Sequence, residues 1–146
     1  MRTFTITLKR TVALLAFVAA GAATAATSTW TVTFEGPGGH SNGNYGNVNA
    51  VHAGARAVME LTRTAPDAVI AGMKGGNSVN SIASDCTFTV TATGDEKAIA
   101  AAKKAVDAAV QNAVKAENDF RGVKAGDTVR GAPAEIRAAV TGLTHR

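Results

Sequence analysis

FEGPGGHSNGNYGNVNAV, residues Phe34 to Val51, passes from a strand through a glycine loop, a histidine and a polar loop into the start of a helix. Upstream of it, Trp30, Val32 and Phe34 fall on one face and Thr29, Thr31 and Thr33 on the other, so Ser28 to Glu35 has the period of a strand. Gly36-Pro37-Gly38-Gly39 stops that strand sharply. Downstream, Asn47 or Asn49 is placed to cap a helix running to about Thr62. Val51, Ala55, Val58 and Met59 or Thr62 recur at helical spacing, while Arg56, Glu60 and Arg63 lie off that stripe. Ala65-Pro66-Asp67 breaks the helix.

A second stretch, GGNSVNSIA from Gly75 to Ala83, answers the first one helix and one strand later. Ala68 to Met73 reads as a short strand leading into it, and Asp85 to Thr93 as another leading out. In that third strand Phe88, Val90 and Ala92 point one way and Thr87, Thr89 and Thr91 the other. Two strands, each with one apolar and one threonine face, imply an antiparallel sheet covered by helices on one side only. Thr93 and Glu96 have capping-box spacing. They open an alanine-rich helix from about Asp95 to Glu117, with Ile99, Ala102, Val106, Ala109 or Val110, Ala113 and Val114 on its inner stripe. Lys103 and Asp107 stand at i, i+4 on its exposed side. A fourth strand is expected in Asp119 to Gly126, weak because Phe120 and Val123 are its large apolar residues. A short helix is expected within Ala132 to Leu143. The order is β-α-β-β-α-(β): an α+β, ferredoxin-like antiparallel sheet with two helices on one face and its fourth strand short or missing.

The chain has 146 residues, 46% of them hydrophobic, enough for one modest core. Arg2, Lys9 and Arg10 precede an apolar run from Thr11 to Ala23, and Ala23-Thr24-Ala25 fits an A-x-A cleavage site. Residues 1–25 therefore read as an export signal, with a periplasmic or secreted product. Of 15 Lys and Arg, losing these three leaves 12 against 11 Asp and Glu, a net charge of +1 rather than +4. Neither a nucleic acid nor, after signal removal, a membrane is called for as partner. Cys86, the single cysteine, has no internal partner and reads as a small buried strand residue.

GPGGHS (Gly36 to Ser41), NAVHA (Asn49 to Ala53) and VNSIA (Val79 to Ala83) together resemble the dimerisation or lid domain of the dizinc metallopeptidase family. That family embraces tripeptide aminopeptidases, aminoacylases, deacylases and glutamate carboxypeptidases. The similarity spans about Trp30 to Glu117, and GDTVRGAP from Gly126 to Pro133 resembles the family's return from lid to catalytic domain. The resemblance places a lid in residues 26–124 and a tail in 125–146. It implies a homodimer through the first helix and second strand, or pairing with a catalytic-domain relative. It also implies that His40 reaches an active site across the dimer as donor to an oxyanion or substrate, and that Asn80, with Gly39 and Gly76, borders the substrate.

Three departures bear on that. Ala83 stands where the family has proline, Thr93 where it often has a carboxylate-binding arginine, and the fourth strand looks cut short. The family's two zinc ions need a His-x-Asp pair and a Glu-Glu pair, and this sequence contains neither, so no cofactor is expected here and the chain alone is not expected to hydrolyse peptides. His40 then divides between a donor and an inherited loop residue, and Asn80 between a substrate contact and a turn cap. His52 reads as helix surface or dimer interface. The glycine loop lacks the Lys-Ser/Thr ending of a phosphate loop. Three functions remain open: an exported non-catalytic dimerisation module, a lid completing a separately encoded peptidase or amidohydrolase, and a truncated relic.

Overall fold

The computed structural model describes residues 24–145; the expected export signal falls on residues that lie, but for its last two, outside the described residues. The described chain forms β1 (Ala26–Glu35), α1 (Ala50–Thr64), β2 (Val69–Gly75), β3 (Asp85–Gly94), α2 (Glu96–Arg121) and β4 (Arg137–His145). The main sheet has the order β2-β3-β1-β4, antiparallel throughout. Both long helices lie on one face. This is the ferredoxin-like arrangement expected from the sequence, with a mixed α+β core.

The alternating pattern sets the two faces. Trp30, Val32 and Phe34 on β1 pair with Val90, Phe88 and Cys86 on β3, and all six are buried under the helices. Phe34 and Phe88 stack with ring centroids 6.4 Å apart, and burying each contributes about 2–3 kcal/mol. On the open face Thr27, Thr29, Thr31 and Thr33 stand opposite Thr93, Thr91, Thr89 and Thr87. Their hydroxyls bond across the strands, Thr29 to Thr91 at 2.9 Å and Thr27 to Thr93 at 3.0 Å.

Helix α1 packs through Ala53, Gly54, Ala57 and Leu61. A Cβ on Gly54 would stand 2.5 Å from the Cys86 Sγ, so glycine is what lets the helix sit down on β3. Cys86 is buried as expected; burial, and secondarily the neighbouring Asp85 carboxylate, push its thiol pKa up. Helix α2 starts from Asp95, whose side chain accepts the Ala98 N–H at 2.8 Å. The cap is Asp95 rather than Thr93, because Thr93 still belongs to β3. Lys103 and Asp107 do pair, at 2.6 Å.

The largest correction concerns the fourth strand. Residues 119–121, expected to begin it, are the last turn of α2, which ends at Gly122 in the left-handed conformation (φ 66°). The strand is neither short nor missing: it is β4, paired with β1 from Glu35↔Arg137 to Thr27↔His145. The short helix expected in the tail is absent from the described residues, since that segment is this strand. A small hairpin, Thr128–Val129 with Ala132–Pro133, links α2 to it. With β4 alongside it, β1 is covered on that edge, and Ser28 is fully buried. Gly142 lies against Trp30, where a Cβ would be 2.5 Å from the indole Cδ1.

Candidate functional site

The two glycine-rich motifs are zipped to one another. Gly39 and His40 pair antiparallel with Ile82 and Ser81. The Ser41 N–H donates to the Asn80 carbonyl at 2.9 Å, and the Gly36 N–H to the Ser84 carbonyl at 2.8 Å. Gly38 and Gly39 adopt φ of +65° and +138°, and a Cβ on Gly39 would lie 2.8 Å from that of Asn44. Both positions therefore require glycine. Ala83, in place of the family's proline, is buried and its carbonyl accepts the Ala50 N–H at the start of α1.

Between the motifs lies a cavity of about 350 Å³, walled by Pro37, Gly38, Gly39, His40, Asn77, Ser78, Asn80, Ser81, Ile82 and Ser84. No charged side chain lines it. The structure thus brings His40, Asn80 and Gly39 together, while Gly76 (φ +75°) shapes the turn before Asn77 and does not reach the wall. His52 is exposed on α1. Thr93 pairs with Thr27 at the far end of β3, whereas Asp85, at the near end, pairs with Glu35 just before the glycine loop. His40 and Thr93 of one chain therefore mark opposite ends of the sheet.

Hydrogen bonding orients the His40 ring. Its Nδ1 accepts the Asn42 N–H at 3.2 Å, which makes His40 the cap of the short helical turn Ser41–Asn44. A neutral imidazole with Nδ1 accepting carries its proton on Nε2. That atom is 3.3 Å from the Asn80 side-chain amide. The Ser78 Oγ–H donates to the Asn80 Oδ1 at 2.7 Å, which turns the Asn80 Nδ2 toward the ring. The contacts run in one chain: the Asn42 backbone N–H to Nδ1, Nε2 beside the Asn80 amide nitrogen, and Ser78 to the Asn80 oxygen. The cavity is therefore presented with an N–H donor from His40 and hydroxyl and amide groups around it, a set suited to a neutral carbonyl or amide. Asn42, Asn77 and Ser78 were not singled out in the sequence; the i, i+2 spacing of His40 to Asn42 is the signal of such a cap.

Among the described residues no cluster of three or more His, Cys, Asp or Glu side chains could hold a metal ion.

Solved structures share this architecture. An amidase of the hydantoinase/carbamoylase family from Burkholderia multivorans superposes with a TM-score of 0.63 at 18% identity, over 82% of this chain and 27% of its own. A tripeptidase from Staphylococcus aureus gives 0.63 at 16%, over 82% and 29%. An aminobenzoyl-glutamate utilization protein from Klebsiella pneumoniae gives 0.60 at 19%, over 80% and 27%. The chain thus spans less than a third of the length of these proteins. No curated protein sequence matches it. The family model for the peptidase dimerisation domain matches residues 24–120, which carry both motifs, α1 and all but the last residue of α2, and the chain belongs to that family.

Proposed function

We propose that this chain is an exported, non-catalytic dimerisation module, pairing with a second copy through α1 and the free edge of β2. The observation that carries this reading is the surface of that edge. Val69–Gly75 is bonded on one side only, to β3, and is exposed along almost its whole length. Met59, Val69 and Met73, exposed at 63%, 64% and 41%, sit on these same two elements. An unpaired strand beside apolar side chains is a template for strand addition. Export is proposed from the basic and apolar residues at the start of the sequence. Static light scattering on a sizing column, over a range of concentrations, tests the pairing. A mass of twice the chain supports it, and a monomer at every concentration removes it.

A second reading rests on the intact His40–Asn80 network. In this reading the module completes the active site of a separately encoded peptidase or amidohydrolase, with His40 Nε2–H donating to the oxyanion of the attacked carbonyl. Losing one such donor costs about 10²- to 10³-fold in turnover. Peptide or amide hydrolysis by a mixture of the chain and such a catalytic domain tests it, with His40→Ala as the comparison. Unchanged turnover by the mutant complex would remove the role of His40.

A further inference from the structure

One buried charge lies beyond the cavity walls. Glu117, on the last turns of α2, is fully buried. Its Oε1 accepts the Asn49 N–H at 2.9 Å and the Arg121 Nε–H at 3.3 Å, and its Oε2 accepts the Arg56 Nε–H at 3.4 Å. A buried carboxylate needs such partners, and these three come from the entrance of α1, its second turn, and the end of α2, four residues on from Glu117 itself. Both guanidinium groups also stack over Phe120, at 5.5 and 5.0 Å from the ring centroid.

The same cluster grips the segment that follows His40. The Arg121 Nη1–H donates to the Tyr45 carbonyl at 3.2 Å. Tyr45 follows Asn44, whose Oδ1 accepts the His40 N–H at 3.2 Å. On the other side of Tyr45, the Asn47 side chain donates to the Gly38 carbonyl at 2.7 Å, and Asn49 is held by Glu117 itself. The stretch from Ser41 to Asn49 is thus pinned at its middle and its end by one acid–base cluster. Its other ties include the Ser41 N–H to the Asn80 carbonyl, the Asn44 side chain to the His40 N–H and the Asn47 side chain to the Gly38 carbonyl.

We infer that Glu117, acting with Arg121, is a positioning residue for His40: it fixes the 41–49 segment so that the His40 ring keeps its Asn42 bond and points Nε2–H into the cavity. The inference rests on the reading of His40 as a donor only for its consequence in catalysis; the geometric claim stands on the chain alone. Glu117 touches no cavity wall and takes no part in proton transfer.

Two variants separate positioning from folding. Glu117→Gln keeps the shape and an oxygen for the Asn49 N–H but removes the charge that collects the two arginines. Arg121→Met keeps the stem and removes the donor to Tyr45 while leaving Glu117 with Asn49 and Arg56. The readout is the imidazole nitrogen spectrum of the ¹⁵N-labelled chain, with His40 assigned by His40→Ala and the β1–β3 amides as the record of an intact sheet. The parent chain is expected to show His40 as the Nε2–H tautomer. Both variants are expected to move it toward the tautomer mixture of a free histidine side chain while the sheet amides stay in place. An unchanged His40 pattern in folded Arg121→Met overturns the inference, whatever Glu117→Gln does to stability.

In a complex that hydrolyses amides, the same variants should lower kcat about ten- to a hundredfold with KM little changed, the scale of a misplaced group. If they shift the ring but His40→Ala leaves turnover intact, the donor reading fails and the positioning stands. If His40→Ala abolishes turnover and Arg121→Met changes neither ring nor rate, the positioning fails and the donor stands.

Discussion

The two edges of the main sheet are unlike. β4 runs in unbroken register with β1 from Glu35↔Arg137 to Thr27↔His145, yet Leu143 is the one large apolar side chain it exposes among the described residues. β2 is shorter and irregular. Its register with β3 shifts between Ala71 and Lys74, and Gly72 between them has φ +67°. Bulges and edge lysines ordinarily discourage pairing. On β2 the bulge leaves only part of the strand regular, while Met59 and Met73 expose apolar area on α1 and β2. The comparison teaches that the two edges offer different things: one a long regular backbone, the other apolar side chains beside a broken one. The regular edge has the longer row of backbone groups, and the irregular edge has the flanking apolar side chains that the proposed pairing would use.

Removing what fastens β4 should have the largest effect. Ile136 is buried, and the Asn118 side chain brackets its backbone, accepting the N–H at 2.8 Å and donating to the carbonyl at 3.3 Å. Ile136→Ala should cost about 2–5 kcal/mol in urea unfolding, with dimer mass unchanged in the fraction that stays folded. Gly142→Val drives a side chain into Trp30 and should cost about 1–3 kcal/mol; a loss under half of that would mean β4 is held more loosely than its register implies. Met73→Lys tests the other edge. It should raise the dimer dissociation constant about tenfold or more, equivalent to about 1.4 kcal/mol, while chain stability moves within about 0.5 kcal/mol. Thr141→Lys, on the exposed face of β4, should leave mass unchanged and shift stability by under about 0.5 kcal/mol. If Thr141→Lys instead dissolved the dimer, the roles of the two edges would be exchanged.

The first three strands and both helices were legible because their signals are local. Period-two alternation marks β1 and β3, Asn49 caps α1 with its side chain on the Val51 and His52 N–H groups, and Ala65 ends it. The fourth strand was not legible for a physical reason. Its residues, RAAVTGLTH, have the alanine content of a helix, and what makes them a strand is the long-range ladder with β1, which outweighs local preference. Phe120 misled in the same way: it reads as a strand residue but stands exposed on α2 between two arginines. At the site, His40, Asn80 and Gly39 were visible through the motifs. Glu117 was not, because nothing near it in sequence reveals that its partners are Asn49 and Arg56, both more than sixty residues away.

The threonine ladder has a consequence for how the chain finds its fold. Threonine and apolar residues alternate on both central strands, so sliding β1 by one position against β3 would turn a row of hydroxyls toward the helices and Trp30, Val32 and Phe34 toward water. A slide by two keeps the faces but moves Phe34 off Cys86 and breaks its stack on Phe88. Odd errors are rejected by polarity and even errors by shape. The pattern that looks repetitive in the sequence therefore acts as a check digit, admitting one alignment of the two strands during folding.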